Sequence, residues 1–319
     1  MSFMRRMLGG GESDNLRIII TRHGERADFA IGKQWLSKVQ QNGSYDPRIS
    51  HLAERPHFRD WTYDSPLTVE GENQSAHVGK KLLHLGYPID YCYSSPAYRS
   101  VQTATGILES QGRKAVPINI EPGLFECPAW YHGKPLKFIP PEYLAADRRF
   151  NINAGYAPMY GGVDESEDER LYYKRSRTLV REIIRAHKRT GGTVLLSGHG
   201  GSIEAVTRGL RGMRQRHEKP EHLIQEALRV DYCNFAILER DARTHHWTVR
   251  FPDSYNSPYG VQLTQQSVIP LYGPTTEHLN KRGRGRLATA LPPARAQRGR
   301  TRTRQRYPQA RPPRYNQYR

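Results

Sequence analysis

Short apolar runs, each too brief for a helix of its own, alternate along this chain with longer segments of helical periodicity. That alternation restricts the fold more than any other feature. Leu16 to Thr21, Tyr91 to Ser94, Val116 to Ile120, Thr193 to Ser197 and Phe235 to Glu239 read as strands, with a weaker run from Trp247 to Phe251. Thr68 to Leu85, Ala97 to Glu109, Asp164 to Arg189 and Ser202 to Leu210 read as helices. The pattern predicts an α/β fold of three layers, α/β/α, with a mostly parallel central sheet covered on both faces. In such sheets ligands bind beyond the carboxyl ends of the strands. His23 and His199 each follow a strand by a few residues, so the fold brings both to one rim although they are far apart in sequence.

The residues at that rim point to phosphoryl chemistry. The first strand ends in Arg22-His23-Gly24-Glu25-Arg26. An imidazole attacks phosphorus only where the phosphoryl oxygens are neutralised, and the planar, permanently charged guanidinium does this best. His199 sits in Ser197-Gly-His-Gly-Gly-Ser202, a glycine-rich turn between a strand and a helix expected from Ser202. The amides of such a turn favour an anion, and the imidazole there is expected to donate to a phosphoryl oxygen. In Ser94-Ser-Pro-Ala-Tyr-Arg99, Pro96 is expected to open a helix and to put Arg99 in its first turn as a third phosphate clamp. A general acid is also needed, and Glu121-Pro-Gly-Leu-Phe-Glu126 supplies two candidates. Glu126 adjoins Phe125 and an aromatic segment with Trp130 and Tyr131, so partial burial is expected to raise its pKa. Sequence order alone does not choose between Glu121 and Glu126.

The remaining composition limits the classes open to the chain. Its 319 residues are enough for a full core. Of the net charge of +18, +13 lies in residues 281–319, which hold Lys281 and twelve arginines without an acid, and +5 in residues 1 to 280. This Arg/Gly/Pro-rich tail, residues 276–319, lacks the apolar content to offset its ordering entropy and is expected to be disordered. RNA or another polyanion is its expected partner through residues 281–319, with Tyr307, Tyr315 and Tyr318 available for stacking. Residues 1–14 are expected to be a flexible N-terminus without a signal peptide, and no transmembrane segment is expected. Cys92, Cys127 and Cys233 form neither a disulfide framework nor a metal signature, in keeping with an intracellular protein, cytoplasmic or nuclear. His217-Glu-Lys-Pro-Glu-His222 lacks zinc spacing, and Pro220 is expected to break the helix that would align its ligands. No metal or other cofactor is expected. The irregular stretches Ile31 to Ser65 and residues 121 to 161 are expected to wall the pocket.

Taken together these segments resemble the histidine phosphatase superfamily, with its phosphoglycerate mutase-like fold, over roughly residues 15 to 275. The resemblance lies nearest to the branch of the UBASH3/TULA (Sts) phosphatase domains and the insect ecdysteroid-phosphate phosphatases. It rests on Arg22 to Arg26, Phe29 to Trp35 with Gly32-Lys33, Asp64-Ser-Pro-Leu-Thr68 with Gly71, Ser94 to Ala104, Glu121 to Glu126 and Ser197 to Ser202. It implies a metal-independent phosphomonoesterase with His23 as the phosphohistidine. Arg22, Arg26, Arg99 and His199 would surround the phosphoryl group, and Glu126 would take the acid position. The superfamily's mutases usually place an asparagine six residues after the nucleophile; Phe29 stands there, which favours hydrolysis. The substrate expected is a phosphopeptide, as for a protein-tyrosine phosphatase, or a small phosphate ester of steroid type, and the branch implies a homodimer. The ubiquitin-binding and SH3 modules of the branch are not expected here. Two alternatives stand beside this reading: a weakly active or inactive phosphatase fold serving as a scaffold, and a phosphosugar mutase or bisphosphatase.

Overall fold

The run Leu16–Arg22 forms β1, and its side chains divide between two cores: Leu16, Ile18 and Ile20 enter one and Ile19 the other. A strand with apolar residues on both faces must lie inside a sheet covered on both sides. The same division recurs in β2 (Tyr91–Ser94), β4 (Gly192–Gly198) and β5 (Phe235–Arg240), where Cys92, Leu195 and Ile237 face one core while Tyr93, Leu196 and Leu238 face the other. The computed structural model describes residues 16–32, 35–37, 46–210, 220–241, 244, 246–251 and 268–270. By its packing the chain divides into Met1–Gly273 and Pro274–Arg319. The expected N-terminal and C-terminal tails, and Lys33, lie outside the described residues.

With β3 (Ile118–Ile120), β6 (Trp247–Arg250) and β7 (Val268–Pro270), the sheet has the order β3-β2-β4-β1-β5-β6-β7. Strands β1 to β4 run parallel, and β5, β6 and β7 add an antiparallel edge. Helices α1 (Val69–His84) and α2 (Tyr98–Ser110) close the face that bears Ile19, Cys92 and Leu195. Helices α3 (Glu169–His187) and α4 (Gly200–Leu210) close the opposite face, so the three-layer α/β/α expectation holds. A further helix, α5 (Pro220–Arg229), packs against α4.

Several boundaries differ from those read in the sequence, each for a local reason. The third strand begins at Ile118, since Pro117 has no N–H to give the ladder. Helix α2 begins at Tyr98 and Pro96 stands outside it; the Tyr98 N–H donates to Asp64 Oδ1 at 2.8 Å, so a distant carboxylate fixes the start. Helix α3 begins at Glu169 because Asp168 caps it, accepting from the Leu171 N–H at 2.8 Å. Pro220 opens α5 rather than breaking a helix, a position where its missing N–H costs nothing.

Two backbones meet where the turn after β1 crosses the start of α1. A Cβ on Gly24 would lie 2.4 Å from the Gly71 carbonyl oxygen, and one on Gly71 would lie 2.3 Å from the Glu25 carbonyl oxygen. Thr68 completes the join: it caps α1 by accepting from the Gly71 N–H at 3.0 Å and donates its hydroxyl to Glu25 Oε1 at 2.8 Å. Gly24→Ala is therefore expected to destabilise the fold by about 1–3 kcal/mol through overpacking against backbone. Gly161→Ala, where an added Cβ meets nothing within 4 Å, is expected to shift the urea midpoint far less. Equal midpoints for the two variants would contradict this account of the crossing.

Candidate active site

Strands β1 and β4 are parallel neighbours with Arg22 opposite Gly198, so the residues that follow them, His23 and His199, emerge side by side. Their rings meet edge to face with centroids 5.4 Å apart, and both are buried. The His23 N–H donates to the Gly198 carbonyl at 3.0 Å and its carbonyl accepts from the Cys233 N–H at 3.2 Å, which fixes the backbone from two sides. His23 Nδ1 lies 2.8 Å from the Gly24 carbonyl oxygen. A carbonyl only accepts, so Nδ1 carries the proton and Nε2 keeps its lone pair. Burial, and after it the neighbouring Arg99, His199, Arg22 and Arg26, push this imidazole well below its ordinary pKa. It is a neutral base with one nitrogen free.

Arg99, in the first turn of α2, is fully buried. One guanidinium nitrogen, Nη2, donates to Glu126 Oε1 at 2.5 Å, to the Tyr131 hydroxyl at 3.2 Å and to His199 Nδ1 at 3.3 Å. Nη1 stands 4.0 Å from Asp64 Oδ1, and neither Nε nor Nη1 makes a hydrogen bond among the described residues. Burial opposes the charge on Arg99, but Tyr131, Glu126 and Asp64 outweigh it and raise its pKa. Arg22 donates to the Val230 carbonyl and lies over the Tyr232 ring, 4.3 Å from its centroid; its Nε is buried without a hydrogen-bond partner among the described residues. Buried guanidinium donors without acceptors are costly, so these three nitrogens beside a basic histidine make a site complementary to an anion.

The other two residues expected at the site hold different positions. Arg26 spends Nε and Nη2 on Asp28, at 2.6 Å each, and its guanidinium lies 5.0 Å from the centroid of the exposed Phe29 ring. Its fork is engaged within its own loop, and it acts on His23, His199 and Glu126 through its charge. His199 is neutral, held at about 3 by burial together with Arg99, Arg26 and Arg22 against the opposing Glu126. Because the Arg99 guanidinium can only donate, His199 Nδ1 accepts from it, and Nε2–H donates to Ser95 Oγ at 2.9 Å. The one proton of His199 is therefore aimed at Ser95 and not, as expected, into the anion site. The ring instead props Arg99.

The choice between the two glutamates has a geometric answer. Glu121 is fully buried and saturated: Oε1 accepts from the Gly123 and Tyr160 N–H groups at 2.8 and 3.2 Å, and Oε2 accepts from the Tyr156 hydroxyl and the Met159 N–H at 2.7 and 2.8 Å. It ties down the 156–160 segment. Glu126 reaches the site, with Oε1 accepting from Arg99 and from the Tyr131 hydroxyl at 2.5 Å and lying 3.6 Å from His199 Nδ1. The expected rise in its pKa does not occur. Burial pushes the carboxyl up, but His199, Arg99, Arg26 and the Tyr131 hydroxyl together hold it at about 2. Local apolar neighbours are legible in the sequence; the arginines brought in from the end of β1 and from α2 are not.

Four contributors lacked a signal of their own in the sequence. Asp64, buried, accepts from the start of α2 and pairs with Arg55 and Arg99, so it locates the buried guanidinium. Tyr131 and Ser95 hold Glu126 and His199, and Tyr232 stacks on Arg22. Asp64 and Ser95 lie inside segments that the resemblance had marked, which was the only available clue. Among the described residues no three His, Cys, Asp or Glu side chains come together as a metal would require, and no helix is long and apolar enough to cross a membrane. Residues 217–219 of His217-Glu-Lys-Pro-Glu-His222 lie outside the described residues.

Comparison with known proteins agrees with this arrangement. The family model of the histidine phosphatase superfamily (branch 1) matches residues 18–250. The chain is similar to ubiquitin-associated and SH3 domain-containing protein B of Mus musculus, 34% identical over 274 residues that cover 81% of this chain and 40% of that protein. It is also similar to the ecdysteroid-phosphate phosphatase of Drosophila melanogaster, 29% identical over 73% of this chain and 32% of that protein. The chain thus spans less than half the length of these relatives. Among solved structures it resembles the ecdysone phosphate phosphatase of Bombyx mori in complex with tungstate, with a TM-score of 0.66 and 30% identity over 77% of this chain and 96% of that one.

The depressed pKa of Glu126 has a consequence for stability. A carboxyl held near 2 against an ordinary 4.5 contributes stability that is fully present above 4.5 and is lost as the pH falls through 2. Between pH 6 and pH 3 the wild type is expected to lose about 2 kcal/mol more unfolding free energy than Glu126→Gln, which cannot titrate there. Urea titrations at the two pH values check this, and parallel losses would show that the carboxyl is not stabilised as an anion.

Proposed function

The chain belongs to the histidine phosphatase superfamily, and on that premise we propose that it hydrolyses phosphate monoesters through a phosphohistidine formed on His23. The single observation behind this reading is the pairing of a neutral imidazole, whose Nε2 is free, with buried guanidinium N–H groups of Arg22 and Arg99 that lack acceptors. The phosphoryl oxygens supply those acceptors, with Arg26 adding charge at longer range and His199 orienting Arg99. His23 Nε2 attacks phosphorus as the bond to the leaving oxygen breaks, and Glu126 delivers a proton to that oxygen. In the second step water attacks the phosphohistidine, its proton passes to the Glu126 carboxylate, and the imidazole leaves.

The low pKa of Glu126 alters where the first proton comes from. At working pH the carboxyl is ionised, so the proton enters with the phosphate monoanion, moves to Glu126 while the bound phosphate offsets the charge of Arg99, and then passes to the leaving oxygen. An acidic optimum follows from this route. Its alkaline limb lies at roughly pH 6, the second ionisation of a phosphate ester, and shifts with that ionisation between substrates. A limb fixed at one pH for esters of different second pKa would assign the proton to the enzyme instead.

The aromatic rings at the site, Phe125, Tyr131 and Tyr232, favour a substrate whose leaving group is flat and apolar, either a phosphotyrosyl peptide or an ester of the kind named in the ecdysteroid-phosphate phosphatases. The exposed Phe29 at the mutases' asparagine position supports hydrolysis over transfer between sugar positions. A panel of phosphotyrosyl peptide, steroid phosphate, nucleotide and sugar phosphate tests this, with His23→Ala as the blank. Loss of at least about 10³-fold in the variant is expected for every substrate turned over; a variant as active as the wild type would remove His23 from the reaction.

The basic segment supports a second activity for the same chain. Thirteen positive charges without an acid in residues 281–319 suit a polyanion, and RNA is the partner we propose. With six or more phosphate contacts, affinity for single-stranded RNA is expected to fall about 300-fold or more between 50 and 200 mM salt. Truncation at residue 280 is expected to abolish it, whereas equal binding by the two chains would exclude the tail.

A further inference from the structure

Arg175 lies on α3, on the side of the sheet opposite the helix that bears Arg99, and nothing in the sequence motifs points to it. Its guanidinium is buried and fully used. Nη1 donates to the carbonyls of Gly123 and Phe125 at 2.7 and 2.9 Å, and Nη2 donates to the Glu126 carbonyl at 3.4 Å. Nε and Nη2 hold Glu167 at 2.8 and 2.6 Å, and the plane lies over Tyr172, 4.9 Å from the ring centroid. Glu167 is itself buried and immediately precedes the Asp168 cap of α3. One cation therefore grips three carbonyls of the four-residue stretch that ends in Glu126, and a buried carboxylate fixes the cation in turn.

We infer that Arg175, held by Glu167, is a positioning residue that sets the place of the Glu126 carboxylate; the inference rests on the phosphatase reading above. The 123–126 stretch leaves a short 3-10 turn, Pro122–Leu124, and has no ladder or helix of its own beyond it, so its path is set by what its carbonyls meet. Arg175 meets three of them. Phe125, between Gly123 and Glu126, packs its ring against His199, Tyr131 and Phe138 with centroids 5.4, 5.6 and 4.9 Å away, so a shift of this backbone would carry the acid away from its partners. The effect is one of placement: the groups that depress the Glu126 pKa are His199, Arg99, Arg26 and the Tyr131 hydroxyl, and Arg175 is not among them. A lysine in the same place would keep the ion pair with Glu167 but could not span three carbonyls from a single nitrogen.

Placement and mere stability separate in the leaving group. Proton delivery matters for a basic leaving oxygen and little for a weakly basic one, so loss of aim at Glu126 should slow phenyl phosphate more than p-nitrophenyl phosphate. For Arg175→Lys, and for Arg175→Met combined with Glu167→Gln so that no lone buried charge remains, the ratio of kcat for phenyl to p-nitrophenyl phosphate is expected to fall by about tenfold or more, the same direction as expected for Glu126→Gln. Adding either change to Glu126→Gln is expected to lower the ratio no further. A lysine variant with the wild-type ratio, or a fall of equal size on both substrates, would overturn the inference and leave Arg175 as a structural ion pair. A wild type inert toward both esters, matching His23→Ala, would instead overturn the phosphatase reading itself.

Discussion

The site is organised around a guanidinium taken wholly out of water. Arg99 is fully buried, and an ion in that position is tolerated only if other charges and dipoles replace its hydration. Glu126 and Asp64 supply the negative charge, Tyr131 an oxygen and His199 a lone pair. Each of those partners is fixed by another part of the fold. Asp64 is held by Arg55 and by the first turn of α2, Glu126 lies in a stretch gripped by Arg175, and His199 is pinned at Ser95. The outcome is a cation that cannot move toward its carboxylates, with two nitrogens, Nε and Nη1, still without acceptors among the described residues. That residual demand is the physical basis for proposing an anion as ligand.

The same burial controls both groups that the proposed reaction requires. Desolvation and the arginines act together on His23, since each disfavours the imidazolium, and so the nucleophile proposed is neutral across the working range. On Glu126 they act against one another, and the cations prevail. One cluster of positive charge thus keeps an imidazole unprotonated and a carboxyl ionised side by side. In the proposed reaction a phosphate monoanion would bring to that pair the one proton it lacks.

The fold was legible wherever one strand or helix declared itself locally. β1, β2, β4 and β5 were read nearly to their ends because their apolar residues fill both faces, and the placement of His23 beside His199 followed from parallel order alone. The start of α2 was misread because Asp64, and not Pro96, governs it. A cap supplied from 34 residues away leaves no mark near the helix it caps. For the same reason Tyr131 was visible only as an aromatic neighbour, and Arg175, in the middle of a charged amphipathic helix, was indistinguishable from the solvated arginines around it.

Glu121 and Glu126 show how far chemistry can be read from residue type. Both are glutamates on one short segment, and both are strongly buried. Their difference lies in the partners. Glu121 accepts from three amides and a hydroxyl, neutral dipoles that bind backbone to backbone, and no guanidinium approaches it in the contacts described. Among the described residues Glu126 accepts from a cation and a phenol, both on Oε1. Saturated by neutral donors on both oxygens, a carboxylate has no capacity left for a proton in transit, whereas one held through a single oxygen keeps the second for the reaction. The proposal of Glu126 as acid and base therefore depends less on its pKa than on that uncommitted oxygen, which neither burial nor sequence position would reveal.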